Sequence, residues 1–152
     1  MTEASRYGLN TGIVGQEALA SDFALLSGRV LMAAIFLSGG DHKLLGLDGF
    51  AGYLAGHGLA TGAYPMAILA ACVEFFGGLC LLLGMGTRYV SLLMALFTVV
   101  ASLIAHRFWE VSDAAMYVNQ MNHFMKNVAI VGGFLLLYGA GPGRLSVDRR
   151  GR

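Results

Sequence analysis

The chain of 152 residues is 57% hydrophobic and only 12% charged, with a net charge of +1 and a mean hydropathy of +0.67. A soluble domain carries roughly a quarter charged residues, so too few are present to hydrate a surface, and most of this surface must face lipid. With no basic stripe, zinc spacing or aromatic nucleic-acid motif, there is no case for nucleic acid as a partner.

Residues 1–22 are polar and small, with Glu3, Arg6, Glu17 and Asp22. No basic start leads into an apolar core and a cleavage site, so no signal peptide is expected, and this stretch reads as a tail. Four apolar runs then approach the roughly 20 residues that a spanning helix needs. They cover about 23–45, 65–83, 89–105 and 122–140. Pro65 suits a first helical turn, where its missing N–H is not needed. Gly139, Gly141 and Pro142 form a stop signal after the fourth run. A barrel would need many alternating strands of about ten residues. Continuous apolar runs call for helices, because lipid cannot satisfy a free backbone N–H. The expected fold is therefore all-α: an antiparallel, integral membrane four-helix bundle over 23–141, followed by a basic tail, 142–152.

The short Gly84–Arg88 link makes the second and third runs a hairpin. The links at 46–64 and 106–121 are longer. With four spans, both termini share a side with the Gly84–Arg88 link. Arg6, Arg29, Arg88, Arg144, Arg149, Arg150 and Arg152 lie on that side, against Lys43, Arg107 and Lys126 on the other. Seven basic residues against three place both termini in the cytoplasm. The glycine pairs 39/40, 77/78 and 132/133 read as places where backbones approach closely. Cys72 and Cys80 form no dithiol or metal-ligand pair and read as small buried hydrophobes. No metal site is expected.

All four histidines, His42, His57, His106 and His123, fall on the outer links or outer helix ends. Lys43 and Lys126 sit beside two of them, and Trp109 closely follows His106. Taken singly these residues describe a head-group belt, where amphipathic side chains rest comfortably. Taken together they describe a polar pocket in the outer half of the bundle. Glu74 lies about 13 Å inside its helix at 1.5 Å per residue. A carboxylate at that depth is costly and normally faces the bundle interior with a partner. Lys43 and Lys126 are both within plausible reach. Asn119, His123, Lys126 and Asn127 follow helical spacing, forming one polar face expected to look toward Glu74.

The run from Glu74 through Gly77-Gly78 and Gly84 to Thr87-Arg88 is similar to the second-helix signature of the DoxX-like membrane proteins. So are Ser38-Gly39-Gly40-Asp41-His42-Lys43-Leu44, His106-Arg107-Phe108-Trp109, and Lys126-Asn127 followed by Gly132-Gly133 and Gly141 to Asp148. These pieces cover about Arg29 to Asp148. The resemblance implies a four-helix bundle of the cytoplasmic membrane of a prokaryote. The family's name comes from a terminal quinol oxidase complex, and some relatives form part of a thiosulfate:quinone oxidoreductase. The family positions carried over are Lys43, Glu74, His106, Trp109, Lys126 and Asn127.

The first functional expectation is a subunit of a respiratory or thiosulfate/quinone-linked redox complex. Its pocket would bind a quinone or lipid through Lys43, Glu74, His106, Trp109, His123, Lys126 and Asn127, with Glu74 as proton relay. No residue of the chain carries an electron at steady state, so a redox role needs a bound cofactor or a partner subunit. The alternative is a non-catalytic structural or assembly subunit with lipid in its pocket. Haem is disfavoured because the histidines lie near the outer ends. A small permease would need a homo-oligomer, since four helices enclose only a thin pathway. Whether the chain is itself an enzyme stays open.

Overall fold

The computed structural model describes residues 3–150. Helix α1 runs from Glu3 to Leu45, then α2, Leu47–Leu54, follows after Gly46. A π-helical turn, Ala55–Leu59, leads to α3, Ala63–Leu83. Helices α4, Thr87–Ala105, and α5, Ala114–Ala140, are joined through a short 3-10 turn, Phe108–Glu110. A single turn, α6, Val147–Arg150, closes the described chain. Four helical stretches are long and apolar enough to cross a membrane: Glu17–Leu45, Ala63–Leu83, Thr87–Glu110 and Ala114–Ala140. The chain is an all-α membrane bundle, as its composition demands.

The helices extend beyond the apolar runs that announce them. The described part of the expected tail continues α1. Helix α5 begins eight residues before the apolar run, because the Asp113 side chain accepts the Met116 amide at 2.8 Å and caps the helix. An N-cap aspartate satisfies one of the otherwise orphan donors of a first turn.

The core gathers Ala33 and Phe36 of α1, Leu81 of α3, Met94 and Ala95 of α4, and Phe134 and Leu137 of α5. Phe36 and Phe134 meet at 5.4 Å between ring centroids, joining α1 to α5. Two glycine pairs set the α1–α3 distance. A methyl group at Gly40 would stand 2.6 Å from the Phe75 amide nitrogen, and one at Gly78 would stand 3.1 Å from that of Leu37. The third pair behaves differently: nothing lies within 4 Å of a methyl at Gly132, and Gly133 meets only the flexible end of Met32. In lipid, close backbone approach between small residues is a main source of helix association, and here it is concentrated on α1 and α3.

Helix α4 carries no charge beyond its first turn, yet a polar stripe runs along its buried face. Thr87, Ser91, Thr98 and Ser102 are all buried. Ser91 donates to the Thr87 carbonyl at 2.7 Å, Thr98 to Met94 at 2.7 Å and Ser102 to Thr98 at 2.6 Å. Bonding to the carbonyl one turn back satisfies these hydroxyl donors without a partner helix.

At one end of the bundle the part of α1 around Asp22 and Arg29 and the segment after α5 meet the α3–α4 link. Asp22 of α1 accepts the Arg144 amide at 2.7 Å. The Asp148 carboxylate accepts the amides of Gly86 and Thr87 at 2.7 and 2.9 Å, capping α4, while its own amide donates to Gly84 at 3.0 Å. Arg29, 1% exposed, donates to the Leu145 carbonyl. Gly84 takes a left-handed conformation, φ 67°, directly against the Arg29 guanidinium. We call this the terminal end.

Candidate functional site

The opposite end holds the residues singled out above, and the structure sorts them into two groups. The first lies between α1 and α3. Glu74, near the middle of α3, is 7% exposed and forms an ion pair with Lys43 of α1. The choice between two lysines is thus resolved in favour of Lys43. Gly39 makes room for the pair, since any side chain there would run into the Glu74 carboxylate. The Lys43 ammonium also stands 5.5 Å from the centre of the Phe50 ring on α2, a cation–π distance. A buried carboxylate in lipid requires such a partner, and one helical step from Gly40 to Lys43 supplies it.

The second group lies between α4 and α5. His106, at the C-terminal end of α4, stacks on His123 of α5 with ring centroids 5.1 Å apart and planes 15° apart. The His106 Nδ1 meets the Gln120 side-chain oxygen at 2.9 Å. The Lys126 ammonium lies 3.2 Å from the His123 Nδ1. One turn deeper, Asn127 donates to the Ser102 hydroxyl at 2.8 Å. The polar face of α5 therefore meets α4 rather than Glu74. Helix α4 ends at this depth in a hydroxyl and an imidazole, which is what the face finds. Asn119, expected on the same face, is exposed.

Trp109 is half exposed and belongs to an aromatic cluster. Phe108 makes edge contacts with Trp109, Tyr117 and Phe124 at 5.1, 5.7 and 5.4 Å. Tyr117 and Phe124 lie on α5, so this cluster clamps the 3-10 turn onto that helix. Arg107 donates to the His57 carbonyl at 2.6 Å and to Glu110 at 3.2 Å, tying the π-helical turn to the end of α4. His57 itself reaches the Tyr53 carbonyl at 2.8 Å, and His42 is exposed. Among the described residues neither side chain bonds to either group. Burial raises the Tyr53 phenol above its ordinary pKa, opposed by the nearby Arg107 charge.

Between α4 and α5 an apolar groove of about 260 Å³ opens beside the second group. Val99, Leu103, Phe124, Val128 and Val131 line it, and Ser102 and Asn127 border it through apolar surface, their polar atoms turned to each other. Ser102, Gln120 and Phe124 escaped the sequence reading. The 98/102 hydroxyl spacing within an apolar helix was a signal for Ser102; Gln120 lies where only the early start of α5 makes it helical.

The chemistry open to these groups follows from their geometry. Imidazole, ammonium and amide groups beside an apolar trough suit a molecule with a carbonyl head and a hydrocarbon tail. Stacked histidines present faces rather than nitrogens to one another, which leaves no slot between them for a macrocycle held by both. Among the described residues no group of three or more His, Cys, Asp or Glu side chains is arranged to hold a metal ion.

Comparison with known proteins agrees with this architecture. The family model described as DoxX matches residues 24–107. The inner membrane protein YphA of Escherichia coli (strain K12) is 38% identical over 128 residues, covering 83% of this chain and 89% of that protein. The inner membrane protein YqjF of the same organism is 39% identical over 128 residues, covering 84% of this chain and 92% of its own length. A surfeit locus protein 4 homolog of Schizosaccharomyces pombe is 29% identical over 126 residues, which cover 82% of this chain but only 36% of that protein. No solved structure matches. The family match ends at Arg107, before α5, whereas the two bacterial relatives align over lengths that run past it. The chain belongs to the DoxX family of integral membrane proteins.

Proposed function

We propose that this DoxX-family chain is a membrane subunit of a quinone-linked redox complex, and that the α4–α5 end of the bundle receives the quinone. The observation that carries the reading is the apolar groove ending at Asn127 and Ser102, with His123 and Lys126 one turn away. A quinone offers a carbonyl head that needs hydrogen-bond donors and a tail that needs an apolar trough. Asn127 borders the groove and would turn from Ser102 toward the head group, and His123 and Lys126 on the same helix would supply further donors. The Lys43–Glu74 pair holds an exchangeable proton inside the membrane and is the candidate relay. Electrons enter and leave through a partner protein, because the chain has no electron carrier of its own. In this reading the groove end faces the outside of a prokaryotic cytoplasmic membrane and both termini face the cytoplasm, as the distribution of basic residues suggests.

One observation favours a second reading, a structural subunit with lipid in the groove. Glu74, His106, His123 and Asn127 each have a partner within the chain. A preformed and satisfied set of polar contacts holds helices together without any ligand.

Quantifying quinone in the protein purified in mild detergent separates the two. The quinone reading expects one quinone per chain, and a drop of about tenfold in Asn127→Leu, the loss expected when one hydrogen bond to the head group is removed and the donor replaced by bulk. Recovery of phospholipid alone, with no quinone in the wild-type protein, overturns it and leaves the structural subunit.

A further inference from the structure

We propose that the terminal end carries a second binding site, for a phosphate group, in the cleft between the α3–α4 link and the segment that follows α5. The cleft has a volume of about 510 Å³, and Arg88, Arg144 and Arg149 stand around it with Asp22 and Asp148. The two carboxylates are already engaged. Asp148 accepts the Gly86 and Thr87 amides, and Asp22 accepts the Arg144 amide. The three guanidinium groups are held far more loosely. Arg88 reaches only the Gly139 carbonyl, at 3.4 Å, and Arg144 approaches Asp22 at 3.9 Å. Arg149 has no hydrogen bond or ion pair among the described residues and is exposed.

Three guanidiniums stand against two carboxylates around the cleft, which leaves one positive charge over for an anion. Their forked donors match the oxygens of a phosphate better than a single-point ammonium would. Tyr89, 84% exposed on the first turn of α4, stands at the lip of the cleft. Tyrosine at a helix end favours the head-group level of a bilayer, so the cleft sits where lipid phosphates lie. The same chemistry would take a free phosphate from solution. The site is at the other end of the bundle from the proposed quinone groove and does not rest on that reading.

Two probes distinguish the sources. The full-length protein is purified in mild detergent, and phosphatidylglycerol and phosphatidylcholine bound per chain are counted by native mass spectrometry. The delipidated protein is then titrated with inorganic phosphate by calorimetry. Both are repeated with R149Q and with the triple variant R88Q/R144Q/R149Q, alongside a thermal melt. Retention of phosphatidylglycerol over phosphatidylcholine, falling about tenfold or more in the triple variant, supports a lipid site, since charge-assisted hydrogen bonds are being removed. Phosphate binding with the same arginine dependence but no lipid preference supports a site for a free phosphate. Arg149 is exposed and makes no hydrogen bond or ion pair among the described residues, so R149Q carries the comparison if the triple variant fails to fold. Wild-type protein that binds neither probe, or binding equal in wild type and R149Q in a folded protein, overturns the site.

Discussion

The two ends of the bundle use polar residues in opposite ways. At the terminal end, side chains bond to backbone: Arg29 to Leu145, Asp148 to Gly86 and Thr87, Asp22 to Arg144. At the opposite end side chains also pair with one another: Lys43 with Glu74, His106 with Gln120, Lys126 with His123, Asn127 with Ser102. A backbone group exists at every position, but it stays unsatisfied in lipid unless some partner is supplied. Contacts to it therefore fix where the chain runs. Contacts between side chains can be exchanged for contacts with a ligand without changing that path. The backbone contacts of the terminal end accordingly hold the fold and leave its exposed arginines for an anion, whereas at the opposite end the polar pairs themselves can be exchanged for a ligand.

This contrast can be broken by substitution, and the largest effect is expected at Gly84. Gly84→Ala forces a left-handed conformation on a side chain, at about 1–2 kcal/mol, and drives its methyl into Arg29, at about 1–3 kcal/mol more. The variant should unfold at clearly lower denaturant or temperature in detergent. Stability equal to wild type would mean that the terminal end is less constrained than its contacts indicate.

Next comes the Lys43–Glu74 pair. Removing one partner leaves a charge in a poorly hydrated place, which costs up to about 3–5 kcal/mol for a fully buried pair. Lys43 keeps 31% of its side chain exposed, so a smaller loss is expected for Glu74→Leu. The double substitution Lys43→Met with Glu74→Leu should recover most of it. A double variant as unstable as the single would show that the pair contributes more than charge balance. Melting curves of the three variants decide.

The cap on α4 is expected to matter less. Asp148→Ala removes both acceptors for Gly86 and Thr87, and loss of an N-cap costs about 0.5–2 kcal/mol. The expected signature is faster amide exchange confined to the first turn of α4. Exchange unchanged there would mean that the cap is not what holds the link.

The smallest effect on stability is expected at the α4–α5 contact, and it sharpens the comparison most. Asn127→Leu removes one interhelical hydrogen bond, which in membranes averages about 0.6 kcal/mol. The melt should barely move while quinone retention falls. A large loss of stability would place Asn127 with the structural contacts and erase the difference between the two ends.

Much of the bundle is legible in the chain of residues alone. The apolar runs reveal four spans because lipid forbids any other way of burying so many backbone groups. Their ends are less legible: the Asp113 cap starts α5 eight residues before the run that announces it. Glu74 announced itself as a buried charge in need of a partner, and Gly39, Gly40 and Lys43 announced a close, basic helix end. Ser102 was marked only by its spacing from Thr98, a weak signal, since a hydroxyl that bonds to its own helix leaves no charge among apolar neighbours.

Composition and hydropathy by themselves determined that the chain lives in a membrane as helices, because the cost of an unsatisfied backbone in lipid is independent of how helices pack. Only tertiary structure decided which partners meet. The depth of Lys43 and of Lys126 along their helices allowed either to reach Glu74. Helix rotation and the close approach of Gly40 to the Phe75 backbone, where even a methyl group would not fit, chose Lys43. The same rotations turned the polar face of α5 onto Ser102 and His106, where a one-dimensional pattern specifies a face but not its neighbour.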